Sequence, residues 1–298
     1  MDAVSDLGFF VLLSKAGSLA AAAQEMGVTP PTASKRLAAL ERRLGVRLLN
    51  RTTRRMSLTA EGEAFLGEGS RLLDELALLE QRLTGARATP RGMLRVHATL
   101  GFGRRHVAPA VSAFAERHAE VEVRLHLSHQ PPNLVEQGFD VAVRIGELAD
   151  DRLSARRLAG NARILCASPG YLQRAGEPAK PADLQAHQCI VIRESDETYG
   201  AWQLAHGSRR ETVKVRGRLC TNDGEAALEW ALRGRGIVMR SQWDVARHLR
   251  SGGLRAVLPQ WHLPPADIYA VFPTRQHLSA KTRAFVDHLA DTFAGVVF

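Results

Sequence analysis

Residues Gly17 to Gly45 read GSLAAAAQEMGVTPPTASKRLAALERRLG, and this stretch leaves the chain few ways to fold. Two prolines, Pro30 and Pro31, stand at the front of a run that otherwise reads as a helix. Proline is tolerated in a first helical turn because those backbone N–H groups have no intrahelical partner. The prolines therefore start a helix, with Thr29 as its cap, rather than breaking one. Ala33, Leu37, Leu40 and Leu44 follow the i, i+4, i+7, i+11 spacing of one buried stripe. Ahead of it, Ser18 can cap a helix from Leu19 to Met26. That helix is mostly Ala20 to Ala23, small enough for another helix to approach closely. Gly27 supplies the sharp turn between the two, and Val28 plugs the angle. A short first helix around Phe9 to Leu13 ends near Gly17.

The face opposite the stripe holds Pro31, Lys35, Ala38, Ala39 and Arg42, flanked by Thr32, Ser34 and Arg43. A helix–turn–helix with a recognition helix has this form, its N-terminal residues reaching base edges in the major groove. Thr and Ala methyls suit thymine methyls, Lys suits guanine, and two alanines leave room for the groove wall. Arg51-Thr52-Thr53-Arg54-Arg55 follows as a basic turn between short apolar runs, the form of a wing whose arginines meet phosphates or the minor groove. Charge agrees: residues 1–59 hold nine Lys/Arg against four Asp/Glu, net +5. Residues 60–83 hold two against six, net −4. The whole chain of 298 residues is +9, but Arg outnumbers Lys 35 to 5, so the local contrast says more than the total.

The run from Gly17 through the wing into SLTAEGE resembles the winged helix–turn–helix of the LysR-type transcriptional regulators. The Ala-rich helix, the turn, ALERRLG, RTTRR and SLTAEG carry the likeness. The family commonly has a Ser-Gln-Pro type of helix start; this chain has Thr29, Pro30 and Pro31, so a base contact made by Gln in relatives has no counterpart at Pro30. The resemblance implies DNA contacts from Pro31, Thr32, Ser34 and Lys35, and wing contacts from Arg51, Thr52, Thr53 and Arg54. Arg42, on the same face, joins the candidate set.

Thr59 can cap a long helix to about Leu83, with Glu61 and Glu63 where the dipole favours acids. Twenty-four residues would span about 36 Å. Phe65, Leu72 and Leu79 are spaced by seven, with Gly69, Leu76 and Leu83 between them, an a/d seam weakened by its glycine. The reading is a dimerisation helix, with Phe65, Leu72, Leu76, Leu79 and Leu83 as its contacts. The resemblance also implies a dimer through this helix, and tetramers built from such dimers. TGARATPRG, Thr84 to Gly92, has Gly, Pro and no apolar periodicity, and serves as the hinge.

From Met93 onward strand-like and helix-like runs alternate, the pattern of α/β architecture with largely parallel sheets. The best local matches to the family's effector domain are Ser128 to Leu158 and Thr221 to Met239. The likeness thus covers nearly the whole chain, and it implies two Rossmann-like lobes of periplasmic-binding-protein type. The expected division is 1–59 winged helix–turn–helix, 60–84 linker helix, 85–92 hinge and 93–298 effector domain. Lobe 1 would be about 93–161 with 268–298, and lobe 2 about 162–267, with crossings near Asn161 and Asp267. Strand ends and helix N-termini meet at such clefts and attract anions. The expected effector contacts are Thr99, Leu100, Phe102, Ser128 and Arg144 from one lobe. Thr221, Asn222, Asp223 and Met239 come from the other, where Thr221 and Asn222 can equally cap the helix that follows. Arg144 and Arg240 are candidates to pair with a carboxylate, or equally to serve an internal ion pair or the surface; the expected effector is a small organic acid.

Other chemistries fit poorly. Gly101-Phe102-Gly103 starts like a dinucleotide motif, but position 106 is His. His126 and His129 have no third metal ligand to join. No GxSxG elbow or GxxxxGK loop appears. The expectation is a regulator rather than an enzyme, with no cofactor or metal. Its partners are double-stranded DNA at a palindromic operator, the effector and copies of itself. Three widely spaced cysteines without a CxxC pair, no signal-type N-terminus and no long apolar run point to the cytoplasm and away from membranes.

Overall fold

The computed structural model describes residues 3–52, 55–84, 89–130, 132–146, 153–192, 200–274 and 278–296. The N-terminal part runs α1 (Ala3–Ala16), α2 (Leu19–Glu25), α3 (Pro30–Leu44), β1 (Leu49–Thr52), β2 (Arg55–Leu58) and α4 (Ala60–Thr84). The Ser18 side chain accepts from the Ala21 N–H and starts α2. Thr29 stands at the cap of α3, but its hydroxyl meets that of Thr32 at 2.9 Å instead of a backbone N–H. With proline at the first two helical positions, one N–H that a cap normally serves is missing. Gly45 ends α3 with φ +72°, the left-handed turn that glycine adopts without cost.

One apolar core gathers Phe9, Phe10 and Leu13 from α1, Ala22 and Ala23 from α2, and Ala33, Leu37 and Leu40 from α3. Leu48, Leu49 and Leu66 close it. Thr59 joins the hairpin to α4: its hydroxyl donates to the Arg47 carbonyl at 2.7 Å and accepts from the Gly62 N–H at 3.0 Å. Gly62 has to be glycine, because a Cβ there would lie 2.0 Å from the Leu48 carbonyl oxygen. Phe65 departs from its expected place on a seam. Its ring packs edge-on against Phe10 at 5.4 Å, so it belongs to the head core. Gly69 likewise lies against Leu7. Spacing by seven cannot distinguish a partner helix from the head on which α4 begins. Beyond Gly69 the face opens: Leu72 and Leu79 are exposed and Leu76 is half-buried, while the Leu83 side chain lies outside the described residues.

The C-terminal part continues with β3 (Gly92–Thr99), α5 (Leu100–Phe102), a π-helical turn Gly103–Val107, and α6 (Ala108–Arg117). Then come β4 (Val121–Ser128), β5 (Val141–Ile145), β6 (Leu153–Ala159), β7 (Arg163–Ala167), α7 (Pro169–Ala175) and β8 (Cys189–Ile192). After these follow β9 (Ala201–His206), β10 (Arg209–Lys214), β11 (Cys220–Thr221), α8 (Gly224–Leu232), β12 (Ile237–Ser241) and α9 (Gln242–Arg250). The last elements are β13 (Arg255–Ala256), β14 (Ile268–Pro273) and α10 (Ala280–Phe293). Helix formation after β3 begins at Leu100 and passes through the π-helical turn into α6.

Two five-stranded sheets result, ordered β4-β3-β5-β14-β6 and β11-β8-β12-β7-β13. The expectation of largely parallel sheets is corrected. β14 is antiparallel to both β5 and β6, and β12 is parallel to β8 but antiparallel to β7. Alternation of runs reveals strands and helices, but not which way a strand returns after a long excursion. The chain leaves the first sheet after Ala159 and rejoins it at Ile268. These two crossings are joined directly. Buried Asn161 donates from Nδ2 to the Ala266 carbonyl at 2.8 Å and from its backbone N–H to Asp267 Oδ1 at 3.1 Å. Arg157 holds the other Asp267 oxygen at 2.6 Å, which keeps the Asp267 carboxyl below its usual range.

Candidate functional site

On the head, α3 separates its charges by role. Arg36 lies over the Phe9 ring and donates to the Ser5 carbonyl at 2.8 Å, while Arg43 reaches buried Asp6 at 3.0 Å. Those two arginines hold α3 to α1. Pro31, Thr32, Lys35 and Arg42 are exposed and Ser34 is half-buried, on the side away from Ala33, Leu37 and Leu40. Among the described residues nothing pairs with Lys35, and Arg42 makes a long 3.4 Å contact to the Ala38 carbonyl of its own helix. In the wing, Thr53 and Arg54 lie outside the described residues. Arg51 and Thr52 are described in backbone only, in register with Met56 and Arg55.

The second site is a cleft of about 370 Å³ between the two sheets' domains, where β3, β5, β8, β11 and β12 end at their carboxyl edges. Of the residues expected there, Thr99, Phe102, Ser128, Arg144, Asn222, Asp223 and Met239 line it. Leu100 and Thr221 do not. The Thr221 hydroxyl turns inward to accept from the Asp223 N–H at 2.9 Å. Asp223, rather than Thr221 or Asn222, caps α8, accepting from the Ala226 N–H at 2.7 Å. Sequence reasoning passed over His97, Arg163, Glu225 and Trp243, which also line the cleft. Arg163 and Trp243 stand in runs that read as ordinary strand and helix, so no local signal marks them.

Acids in and beside the cleft are already engaged. Asp223 faces His129 Nε2 at 3.4 Å, and Glu225 pairs with Arg104 at 3.0 Å. Fully buried Asp244 is held by Arg105 at 3.2 Å and by Arg240 Nε at 2.9 Å. Arg240 is therefore committed to Asp244, the internal ion pair that was the alternative to an effector carboxylate. Arg144 donates to the Pro132 carbonyl at 2.8 Å. Among the described residues no carboxylate pairs with Arg163. Ser128 gives its one hydroxyl proton to the Gln130 carbonyl at 2.8 Å, so His97 Nε2, 2.9 Å away, must be the donor to Ser128. Burial foremost, then the nearby His126 and Arg144, push the His97 pKa down to about 4. The imidazole is neutral at physiological pH.

Both parts of the chain match known protein families. Residues 4–63 match the model of the bacterial regulatory helix-turn-helix protein, lysR family, and residues 87–294 match the LysR substrate binding domain. The HTH-type transcriptional regulator DmlR of Escherichia coli is 42% identical over 291 residues, 98% of this chain and 94% of that protein. The HTH-type transcriptional activator TtdR of Escherichia coli is 38% identical, over 96% of this chain and 92% of that protein. Among solved structures, CrgA of Neisseria meningitidis, described as a LysR-type transcriptional regulator, superposes with a TM-score of 0.60 at 30% identity. The match covers 99% of this chain and all of that one. The full-length Vibrio cholerae virulence activator AphB also gives 0.60, at 29% identity, with 98% and 99% covered.

Proposed function

The chain belongs to the LysR-type transcriptional regulators, and from that membership we propose that a small organic acid, held in the cleft, tunes how its paired heads sit on an operator. One observation carries the choice of an acid. Every carboxylate described in or beside the cleft already has a cation or a backbone N–H, whereas Arg163 has no carboxylate among the described residues. A bound carboxylate completes that arrangement, with Arg163 and Arg144 as its cationic partners and Ser128, Asn222 and Thr99 beside it. Asp223, beside the site, is engaged as the cap of α8, accepting from the Ala226 N–H at 2.7 Å.

At the other end, we assign operator contacts to Pro31, Thr32, Ser34, Lys35 and Arg42 of α3 and to Arg51–Arg54 of the wing. The exposed, unpaired state of Lys35 and the buried stripe behind it support this. Residues 1–59, 60–84, 85–92 and 93–298 are proposed as head, linker, hinge and effector domain. Exposed Leu72 and Leu79, with Leu76 between them, favour a second copy of α4 as partner, giving a dimer that meets two half-sites of a palindrome. Effector binding then favours one arrangement of the heads.

A thermal-shift screen of small mono- and dicarboxylates on the full chain tests the acid. At least one should raise the melting temperature, and Arg163→Gln should remove that shift. No response to any carboxylate at millimolar concentration would refute the assignment.

A further inference from the structure

A second pocket, of about 650 Å³, lies at the opposite edge of the sheet β11-β8-β12-β7-β13. The cleft occupies the carboxyl ends of its parallel strands; this pocket occupies their amino ends, where β8, β11 and β12 begin. Four guanidiniums border it: Arg174, Arg218, Arg233 and Arg235. No Asp or Glu is among its lining residues. Arg174 donates to the Gly234 carbonyl at 3.0 Å and so fixes the turn that carries Arg233 and Arg235. Gly234 takes φ +70°, and a Cβ there would come within 3.2 Å of Arg174 and Ser168. The turn therefore depends on glycine. Arg233 has a loose 3.4 Å partner in exposed Glu229. Among the described residues no carboxylate pairs with Arg218 or Arg235. Trp230 and Leu219 supply apolar wall between the cations.

We infer that this pocket binds a small organic phosphate, an effector site separate from the cleft. Four like charges around one cavity repel one another, and a single carboxylate would leave most of that repulsion in place. A phosphate or diphosphate brings two or more negative charges and accepts the guanidinium fork at two oxygens. The volume falls in the range of small-molecule sites, and a concave pocket does not suit a duplex backbone, which needs a raised basic stripe. Trp230 and Leu219 give the carbon body of such an ester a place to rest.

Inorganic pyrophosphate serves as the probe, titrated into the full chain by calorimetry, with sodium acetate at matched ionic strength as the control. Pyrophosphate should bind saturably and acetate should not do so at this site. The double variant R218E/R235E, altered at two exposed positions, should bind pyrophosphate at least about tenfold more weakly, the cost of losing one charge-assisted contact. Arg144→Gln, in the cleft, should leave pyrophosphate binding unchanged. Absence of saturable binding, equal binding by R218E/R235E, or loss of binding in Arg144→Gln would each overturn the inference. The carboxylate screen reads the cleft through Arg163, so either result can fail alone.

Discussion

The head and the cleft treat charge in opposite ways. In α3 the cations needed for folding are paired inward, Arg36 and Arg43 around Asp6, while Lys35 and Arg42 on the opposite face are left to solvent. In the cleft almost every acid is engaged within the protein: Asp223 by the Ala226 N–H, Glu225 by Arg104, Asp244 by Arg105 and Arg240. Lys35 and Arg42 stand exposed on the head, so unmatched cations there cost little while hydrated. The cleft is lined by side chains from both sheets, and a charge left unmatched there is more expensive. In both places the proposed partner's sign follows from what folding leaves uncompensated, a whole face in one case and Arg163 in the other.

Five variants would break or sharpen this contrast. The largest effect is expected at Asp244→Ala, which strands two guanidiniums around a fully buried position and should cost about 3–5 kcal/mol in denaturant unfolding. Asp6→Ala removes the corresponding carboxylate of the head, but its partner Arg43 is 46% exposed and can rehydrate. A smaller loss follows, about 1–3 kcal/mol. Equal losses at the two sites would contradict the claim that enclosure separates them. At the operator, Lys35→Ala should cost about 1–3 kcal/mol at one base position, read by selection from random DNA and by gel shift. Arg54→Ala should weaken all sequences more evenly and lower the salt slope by about one. If both variants keep wild-type affinity, the head does not read DNA through this face.

The smallest effect concerns His97. Its folded pKa lies below its unfolded value of 6.5, at about 4. The unfolded chain therefore binds more protons in that window, and stability falls as pH drops from 6.5 towards 4. Thermal melts at stepped pH should show the slope flatten in His97→Gln. An unchanged slope would mean that the histidine is hydrated rather than enclosed.

Legibility followed the same division. The exposed face of α3 and the buried stripe behind it were readable because they lie on one helix, where sequence spacing maps directly onto geometry. The cleft draws on residues from His97 to Trp243, and only those next to a strand end or a helix cap could be marked in advance. Arg163 and Trp243 acquire their role from a sheet order that no local pattern encodes. Asp223 displaced Thr221 at the α8 cap, a shift of two residues within the precision of any cap signal. Phe65 had the right period for a seam and the wrong neighbour: its position in the heptad said nothing about Phe10, more than fifty residues earlier.

The Asn161 stitch has a consequence for inheritance. Because Asn161 bonds to both Ala266 and Asp267, the segment between them enters and leaves through one point on its host. Insertions whose two ends lie side by side disturb the parent fold least. A homologous segment cut at the same two places should therefore graft into this chain as a cassette. Evolution could then exchange half of the cleft, and with it the preferred ligand, while the first sheet stays intact.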